Sequence, residues 1–411
     1  MSYLANMVPQ TKTICLQSKR IIVVISLSLY VIVAILGLLH QVNLPRLKPL
    51  FKSNVRLTAG LYRSFAPLAE LEWGDMSNNN NNNTLVSTHE PECSPKQKIV
   101  FIKTHKTAST TTASIFERYG YYRNLTFVTG KSHVLSFPGK FNRKDVLSFP
   151  KMKKKTFDIL ANHARYDRKE MSLLIPNAVY VTILRKPEDQ LESAFGYFEM
   201  YKTINKLEGE THLEAYMKDP KKYWKKFKMW QLSRNGQLFD LGFEHEFDED
   251  DVKLEGAIQD LDEELDLVLI REYYDESLIL LRKLLCWDYE DILYISAGVR
   301  SSSHRFQKSD ELIAKIKKWN HGDVLLYDHF NRTFWKKVDA YGKDFQRDLK
   351  FFRQLNQEAF DQCIDSYRLD REDRREDKFV LKNNTERCTR ILRADIGYTK
   401  LIRTYMKKKY G

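Results

Sequence analysis

Four short apolar runs set the rhythm of this chain. Ile99–Ile102, the run inside Phe157–Tyr166, Asn177–Leu184 and Leu265–Ile270 are brief and bounded by polar turns, so they read as buried strands. Asp291–Ile295 reads as a fifth, shorter one. Between them apolar positions return at helical spacing. Ile115, Phe116 and Tyr119 share one face, Pro187 suits the first turn of a helix, and Arg271–Trp287 is amphipathic. Aromatic Phe195–Tyr201 is expected to pack its helix onto the sheet. Tyr223–Trp230 reads as an amphipathic core helix, and acidic Glu244–Glu264 as a loop running into a helix. Strands alternating with helices predict an α/β domain: a central parallel sheet flanked by helices, with any ligand at the carboxyl ends of its strands. The domain starts near Gln97.

Ahead of it the pattern differs. Ile21–Leu39 is an uncharged run of 19 residues, long enough to cross a bilayer core. It is too long for a removable signal peptide, and no small-residue cleavage site comes after it. Lys12, Lys19 and Arg20 precede it and Arg46, Lys48, Lys52 and Arg56 follow it, so the positive-inside rule does not orient it. Glycosylation sequons at Asn82, Asn124, Asn331 and Asn383 all lie after the span. They predict a type II membrane protein: cytoplasmic tail over 1–20, transmembrane signal anchor over 21–39, stem over 40–96, and the bulk in the secretory lumen. The stem carries an asparagine run, Asn78 to Asn83, and the Pro91/Pro95 pair, without steady periodicity. Cys15 falls in the tail. Cys93, Cys286, Cys363 and Cys388 fall beyond the span, where four cysteines permit two disulfides in three connectivities.

Composition narrows the class. With 411 residues and 43% hydrophobic content the chain can bury a large core, and its net charge of +13 suits an anionic partner. There is no zinc-finger spacing and no RNA-recognition signature, which disfavours nucleic acid. No cysteine or histidine cluster has metal-ligand spacing, so no metal is expected.

The chemistry concentrates after the first strand. Lys103-Thr-His-Lys-Thr-Ala-Ser-Thr-Thr111 joins a strand to a helix start, whose unpaired N–H groups form a ready anion site. Thr107, Ser109, Thr110 and Thr111 add hydroxyls and Lys106 adds a charge, so the stretch reads as a phosphate cradle. It is not the nucleoside-triphosphate P-loop, which needs glycines before its lysine; none lies between Lys98 and Tyr119. Asn162, His163 and Arg165 close the second strand. Arg185 ends the third, with Ser193 eight residues on, about two turns into the next helix. A planar, permanently charged guanidinium there suits a second phosphate.

The two motifs, about 80 residues apart, resemble the 5′-phosphosulfate loop and the 3′-phosphate motif of sulfotransferases. The wording Phe101-Ile-Lys-Thr-His-Lys-Thr-Ala-Ser-Thr-Thr111, the segments around His163 and Arg234–Gly242, and the blocks Leu265–Trp287 and Leu326–Trp335 are similar to the galactose 3-O-sulfotransferase family over roughly Cys93 to Cys363. The resemblance implies a Golgi enzyme that carries the sulfuryl group of 3′-phosphoadenosine 5′-phosphosulfate (PAPS) to the 3-hydroxyl of a terminal β-galactose, on galactosylceramide or on a glycoprotein glycan. It implies that Lys103, Thr104, Lys106, Thr107, Ala108, Ser109 and Thr110 hold the 5′-phosphosulfate, and that Arg185 and Ser193 hold the 3′-phosphate. Lys106 would neutralise the leaving group, and His163 or His105 would serve as base. Basic Arg300–Arg305 lies where sulfotransferases close a loop over the nucleotide. The match assigns 97–363 to the catalytic domain and leaves 364–411 as a charged extension with no role. Ala108 stands where the wider fold carries Gly, and Lys186 where the family usually has Asp; neither removes a proposed phosphate contact. Two rivals differ in class. A phosphoryl-transfer enzyme would need a Gly-rich loop and acidic magnesium ligands, and a non-catalytic glycan-binding relative would not need Lys106, Ser109, Arg185, Ser193 and His163 intact.

Overall fold

The computed structural model describes residues 93–411 apart from 154–155, 246–249, 296–307 and 370–376. The expected span over 21–39, the stem as far as residue 92 and the basic loop Arg300–Arg305 lie outside the described residues. Among the described residues no helix is long and apolar enough to cross a membrane.

The chain runs β1 (Ile99–Ile102), α1 (Ser109–Tyr122), β2 (Val134–Lys140), β3 (Ile159–Leu160), β4 (His163–Arg165), α2 (Arg168–Leu174), β5 (Val179–Leu184) and α3 (Pro187–Tyr197). Next come α4 (His212–Lys218), α5 (Pro220–Tyr223), α6 (Gly236–Asp240), α7 (Asp251–Glu264), β6 (Leu267–Ile270), α8 (Tyr274–Leu285) and α9 (Tyr289–Ile292). It closes with α10 (Asp310–Trp319), α11 (His321–Tyr341), α12 (Phe345–Cys363), the hairpin β7 (Ile364–Leu369) and β8 (Asp377–Leu381), α13 (Glu386–Leu392) and α14 (Asp395–Tyr410).

The central sheet has the order β3-β1-β5-β6, all parallel. Every residue of β1, β5 and β6 is buried, as a parallel sheet covered on both faces requires. β1 is followed by α1 and leads to β3 on one side, whereas β5 leads to β6 on the other. The order reverses between β1 and β5, which opens a crevice at their carboxyl ends. Lys103–Ala108 and Arg185 stand on the two lips of that crevice. α1 lies close on β3 because Gly120 has no Cβ; one placed there would meet Ile159 Cδ1 at 2.5 Å. A second apolar cluster forms beside the sheet from Leu191, Phe195, Tyr216, Phe227 and Trp319.

Several expectations change. Phe157–Tyr166 is not one strand. Only Ile159–Leu160 joins the central sheet, and His163–Arg165 leaves it to pair with β2. Asp291–Ile295 is not a strand either. Asp288 and Asp291 cap a helical turn, and the carbonyls of Asp291 and Leu293 accept from the buried Arg118 guanidinium at 2.7 and 2.6 Å. Tyr223–Trp230 is no helix: it breaks into single turns, because Phe227 must extend to bury its ring 5.1 Å from Tyr216. Phe195 packs into the second cluster rather than onto the sheet, and Tyr197 and Tyr201 are exposed.

The tail beyond Cys363 is built into the same compact unit. Cys363 is bonded to Cys388, and Cys93 to Cys286, which selects one of the three pairings. α14 lies along α1 and buries Tyr398, Ile402 and Met406, each side chain worth about 1.5–3 kcal/mol. The cradle helix is therefore covered by the sheet and by the chain's last helix.

Candidate active site

The cradle is held in shape by its own hydroxyls. Thr104 Oγ1 donates to the Ile183 carbonyl of β5 at 2.5 Å and lies 2.8 Å from Thr107 Oγ1. The Ser109 hydroxyl donates to the Thr104 carbonyl. These three side chains are buried and shape the loop. Lys106, Ala108, Thr110 and Thr111 are the ones with surface facing solvent. Lys106 and Ala108 have φ of 64° and 71°, a left-handed conformation worth about 1–2 kcal/mol of strain per L residue. That turn explains why the wider fold uses glycine at the place of Ala108. α1 starts without a side-chain cap, which leaves its first N–H groups for an anion. Lys106 Nζ lies 3.5 Å from the centre of the exposed Tyr197 ring.

Lys103 is placed differently. It is 4% exposed and its ammonium pairs with Asp395 of α14. Beside that pair, Asn162 donates to Thr399 at 2.9 Å, and Thr399 donates to Glu117 at 3.1 Å. Burial, reinforced by Asp395, pushes the Glu117 carboxyl well above its ordinary range.

His105 and His163 form one unit, their rings stacked with centres 4.1 Å apart. His105 Nδ1 lies 2.9 Å from Asp240 Oδ1, and its backbone N–H donates to the same carboxylate at 2.6 Å. His163 Nδ1 lies 3.0 Å from the Lys103 carbonyl. A carbonyl only accepts, so His163 carries its proton on Nδ1 and presents a bare Nε2. Burial first, then the charges of Lys103 and His105, hold the His163 imidazole well below its ordinary pKa. The rings of Phe137 and Phe198 flank His105 at 5.6 and 6.0 Å.

Across the crevice, Arg185 Nη1 donates to the Lys106 carbonyl at 3.1 Å, while its Nε is buried without a partner. Burial, and then the nearby Arg271, push the guanidinium down to about 10, so it remains a cation. Ser193 sits partly buried on α3. From the same helix Gln190 donates to the His105 carbonyl at 3.1 Å. α6 supports both lips. Gln237 accepts from the Arg185 N–H at 2.8 Å and donates to its carbonyl at 2.9 Å, and Asp240, at the end of α6, orients His105.

The structure thus gathers Lys106, the α1 start, His105, His163 and Arg185 around one crevice, and leaves Lys103 in the interior. Sequence reasoning missed Asp240, Gln237, Arg271 and Asp395. Arg271 had a legible signal, since it follows β6 as Arg185 follows β5; Gln237 and Asp240 lay in the family-like segment Arg234–Gly242, and Asp395 had none.

An anion cradle after one parallel strand and an arginine after its neighbour define an α/β protein with basic groups on both lips of a crevice at the sheet's carboxyl edge. Comparison with known proteins supplies the family. The Galactose-3-O-sulfotransferase family model matches residues 5–393, and the chain belongs to that family. Galactosylceramide sulfotransferase of Bos taurus is 36% identical over 283 residues, covering 67% of this chain and 66% of its own length. The Homo sapiens protein of that name is 37% identical over 281 residues, covering 67% and 66%. Galactose-3-O-sulfotransferase 3 of Bos taurus is 35% identical over 275 residues, covering 65% and 64%. The chain spans just under two thirds of the length of these relatives. α14 begins at Asp395, past the end of the family match.

Proposed function

We propose that this protein transfers the sulfuryl group of PAPS to the 3-hydroxyl of a terminal β-galactose. The observation that carries the reading is the meeting, in one crevice, of the uncapped α1 start, Lys106 and the stacked histidines. In the transfer the hydroxyl proton passes to an imidazole Nε2, the hydroxyl oxygen bonds to sulfur, and the bond from sulfur to the bridging phosphate oxygen breaks. Lys106 and the α1 N–H groups offset the charge that grows on the leaving phosphate. The two imidazoles stand together at the crevice, their ring centres 4.1 Å apart. Asp240 orients His105, and burial disfavours the charged form of His163 beside it.

Galactosylceramide or a related glycolipid is the acceptor proposed first, in keeping with the names of relatives at 36 and 37% identity. A galactose on an N-acetyllactosamine glycan is the second reading, since galactose-3-O-sulfotransferase 3 stands nearly as close at 35%. The proposed setting is the Golgi membrane, with the domain lumenal behind an N-terminal anchor. Two disulfides suit an oxidising lumen. Asn124 and Asn383 are exposed for glycosylation, whereas Asn331 lies in α11 with its carboxamide oxygen buried and is a poor acceptor.

The test offers sulfur-labelled PAPS with galactosylceramide and with N-acetyllactosamine in parallel, followed by linkage analysis of the product. Label at the galactose 3-position of the glycolipid is expected. Label on the glycan alone moves the acceptor assignment, and label on neither overturns the reading.

A further inference from the structure

Arg271 stands to β6 as Arg185 stands to β5. The two strands pair in parallel with Leu184 opposite Ile270, so the residues just beyond them are lateral neighbours, with backbones about 5 Å apart. Among the described residues neither guanidinium pairs directly with a carboxylate. The Arg185 Nε is buried with no partner, and partly buried Arg271 makes no hydrogen bond or ion pair with any described residue. The nearby carboxylates are engaged elsewhere. Lys308 binds Asp189 at 2.9 Å and also binds Glu192, while Glu272 accepts from the Lys186 N–H and the Tyr327 hydroxyl, both at 3.1 Å. Two like charges side by side at the edge of a crevice, with donors to spare and with Asp189, Glu192 and Glu272 acting on Arg185 only at a distance, are stable together when an anion lies between them.

We propose that Arg271 and Arg185 form a two-arginine clamp on the 3′-phosphate of the nucleotide, and that Arg271 sets the preference for a 3′,5′-bisphosphate over a 5′-monophosphate. The clamp rests on the reading of the crevice as a PAPS site. The 5′ group belongs to Lys106 and the α1 start, after β1. In the order β1-β5-β6, Arg271 lies two strand spacings, about 10 Å, from that cradle, so it meets the other end of the nucleotide. A planar fork on each side of one phosphate gives geometric selection that a single arginine lacks.

The experiment titrates the 411-residue chain with adenosine 3′,5′-bisphosphate and with adenosine 5′-monophosphate, for wild type, Arg271→Gln and Arg271→Lys. Arg271→Gln should weaken the bisphosphate about 10–100-fold and leave the monophosphate unchanged. Arg271→Lys should lose less, since the charge remains and the fork does not. The ligand-free melting temperature of Arg271→Gln should equal or exceed that of wild type, because a repulsion between cations has been removed. A merely structural arginine would lower it. Equal weakening of both nucleotides, an unchanged ratio, or a lower melting temperature with both affinities lost would overturn the clamp. A wild type that does not prefer the bisphosphate overturns the nucleotide reading and the clamp with it. A wild type that prefers it, with the ratio unmoved in Arg271→Gln, overturns the clamp alone.

Discussion

At the scale of single residues, the proposed chemistry depends on which nitrogen of each imidazole is free. Asp240 holds Nδ1 of His105, and the Lys103 carbonyl holds Nδ1 of His163. Asp240→Asn keeps the shape but removes the charge that fixes the tautomer and would stabilise the imidazolium. It should lower the transfer rate about 10²–10⁴-fold and leave the affinity for adenosine 3′,5′-bisphosphate unchanged. His163 adds a pH dependence of stability. Its pKa is depressed in the folded state, so below about pH 6.5 the unfolded chain binds a proton that the folded one does not. Stability is therefore lost as pH falls from about 6.5 toward the folded value, by about 1.4 kcal/mol for each unit of depression. Urea unfolding between pH 7 and 5 should show a steeper loss for wild type than for His163→Gln; parallel curves would contradict this. Lys106, Arg185 and the two histidines were legible in the sequence because each lies just past a strand end. The true position of Lys103 was not, because its partner Asp395 lies 292 residues away.

Among elements, the β1–α1 loop ties two strands together. Thr104 is fully buried and its hydroxyl bridges the β5 carbonyl and Thr107. Thr104→Val keeps the volume and leaves the Ile183 carbonyl and the Thr107 hydroxyl short of a partner. It should destabilise by about 1–3 kcal/mol in chemical unfolding and loosen the cradle, seen as weaker bisphosphate binding. If both are unchanged, the loop does not depend on this latch. The strands β1, β5 and β6 were readable because parallel strands buried on both faces are continuous apolar runs. β3 and β4 were not, since a run of apolar residues does not show where a chain leaves one sheet for another. The helical turn at Tyr289 was hidden for a related reason. Its carbonyls are satisfied by Arg118, a residue that no local pattern connects to it.

For the whole molecule, the last helix completes the first loop. α14 covers α1, its Asp395 neutralises Lys103, and the Lys103 carbonyl orients His163. Asp395→Ala leaves an ammonium buried without its partner, which should destabilise by about 3–5 kcal/mol. It should also depress transfer more than Ile396→Ala, which removes the exposed neighbour on the same helix. Equal melting temperatures and rates for the two variants would show that the tail is no part of the site. The charged composition of the tail concealed this, because its buried face is narrow: Tyr398, Ile402 and Met406 at helical spacing among lysines. Whether the crevice is a sulfuryl-transfer site is tested most directly by the rate of label transfer from sulfur-labelled PAPS to a β-galactoside at saturating donor and acceptor, in wild type and Lys106→Ala. Transfer by wild type, with a fall of about 10²–10³-fold in Lys106→Ala and no change in melting temperature, is the predicted result. An undiminished rate in Lys106→Ala, or no transfer by wild type, would contradict it.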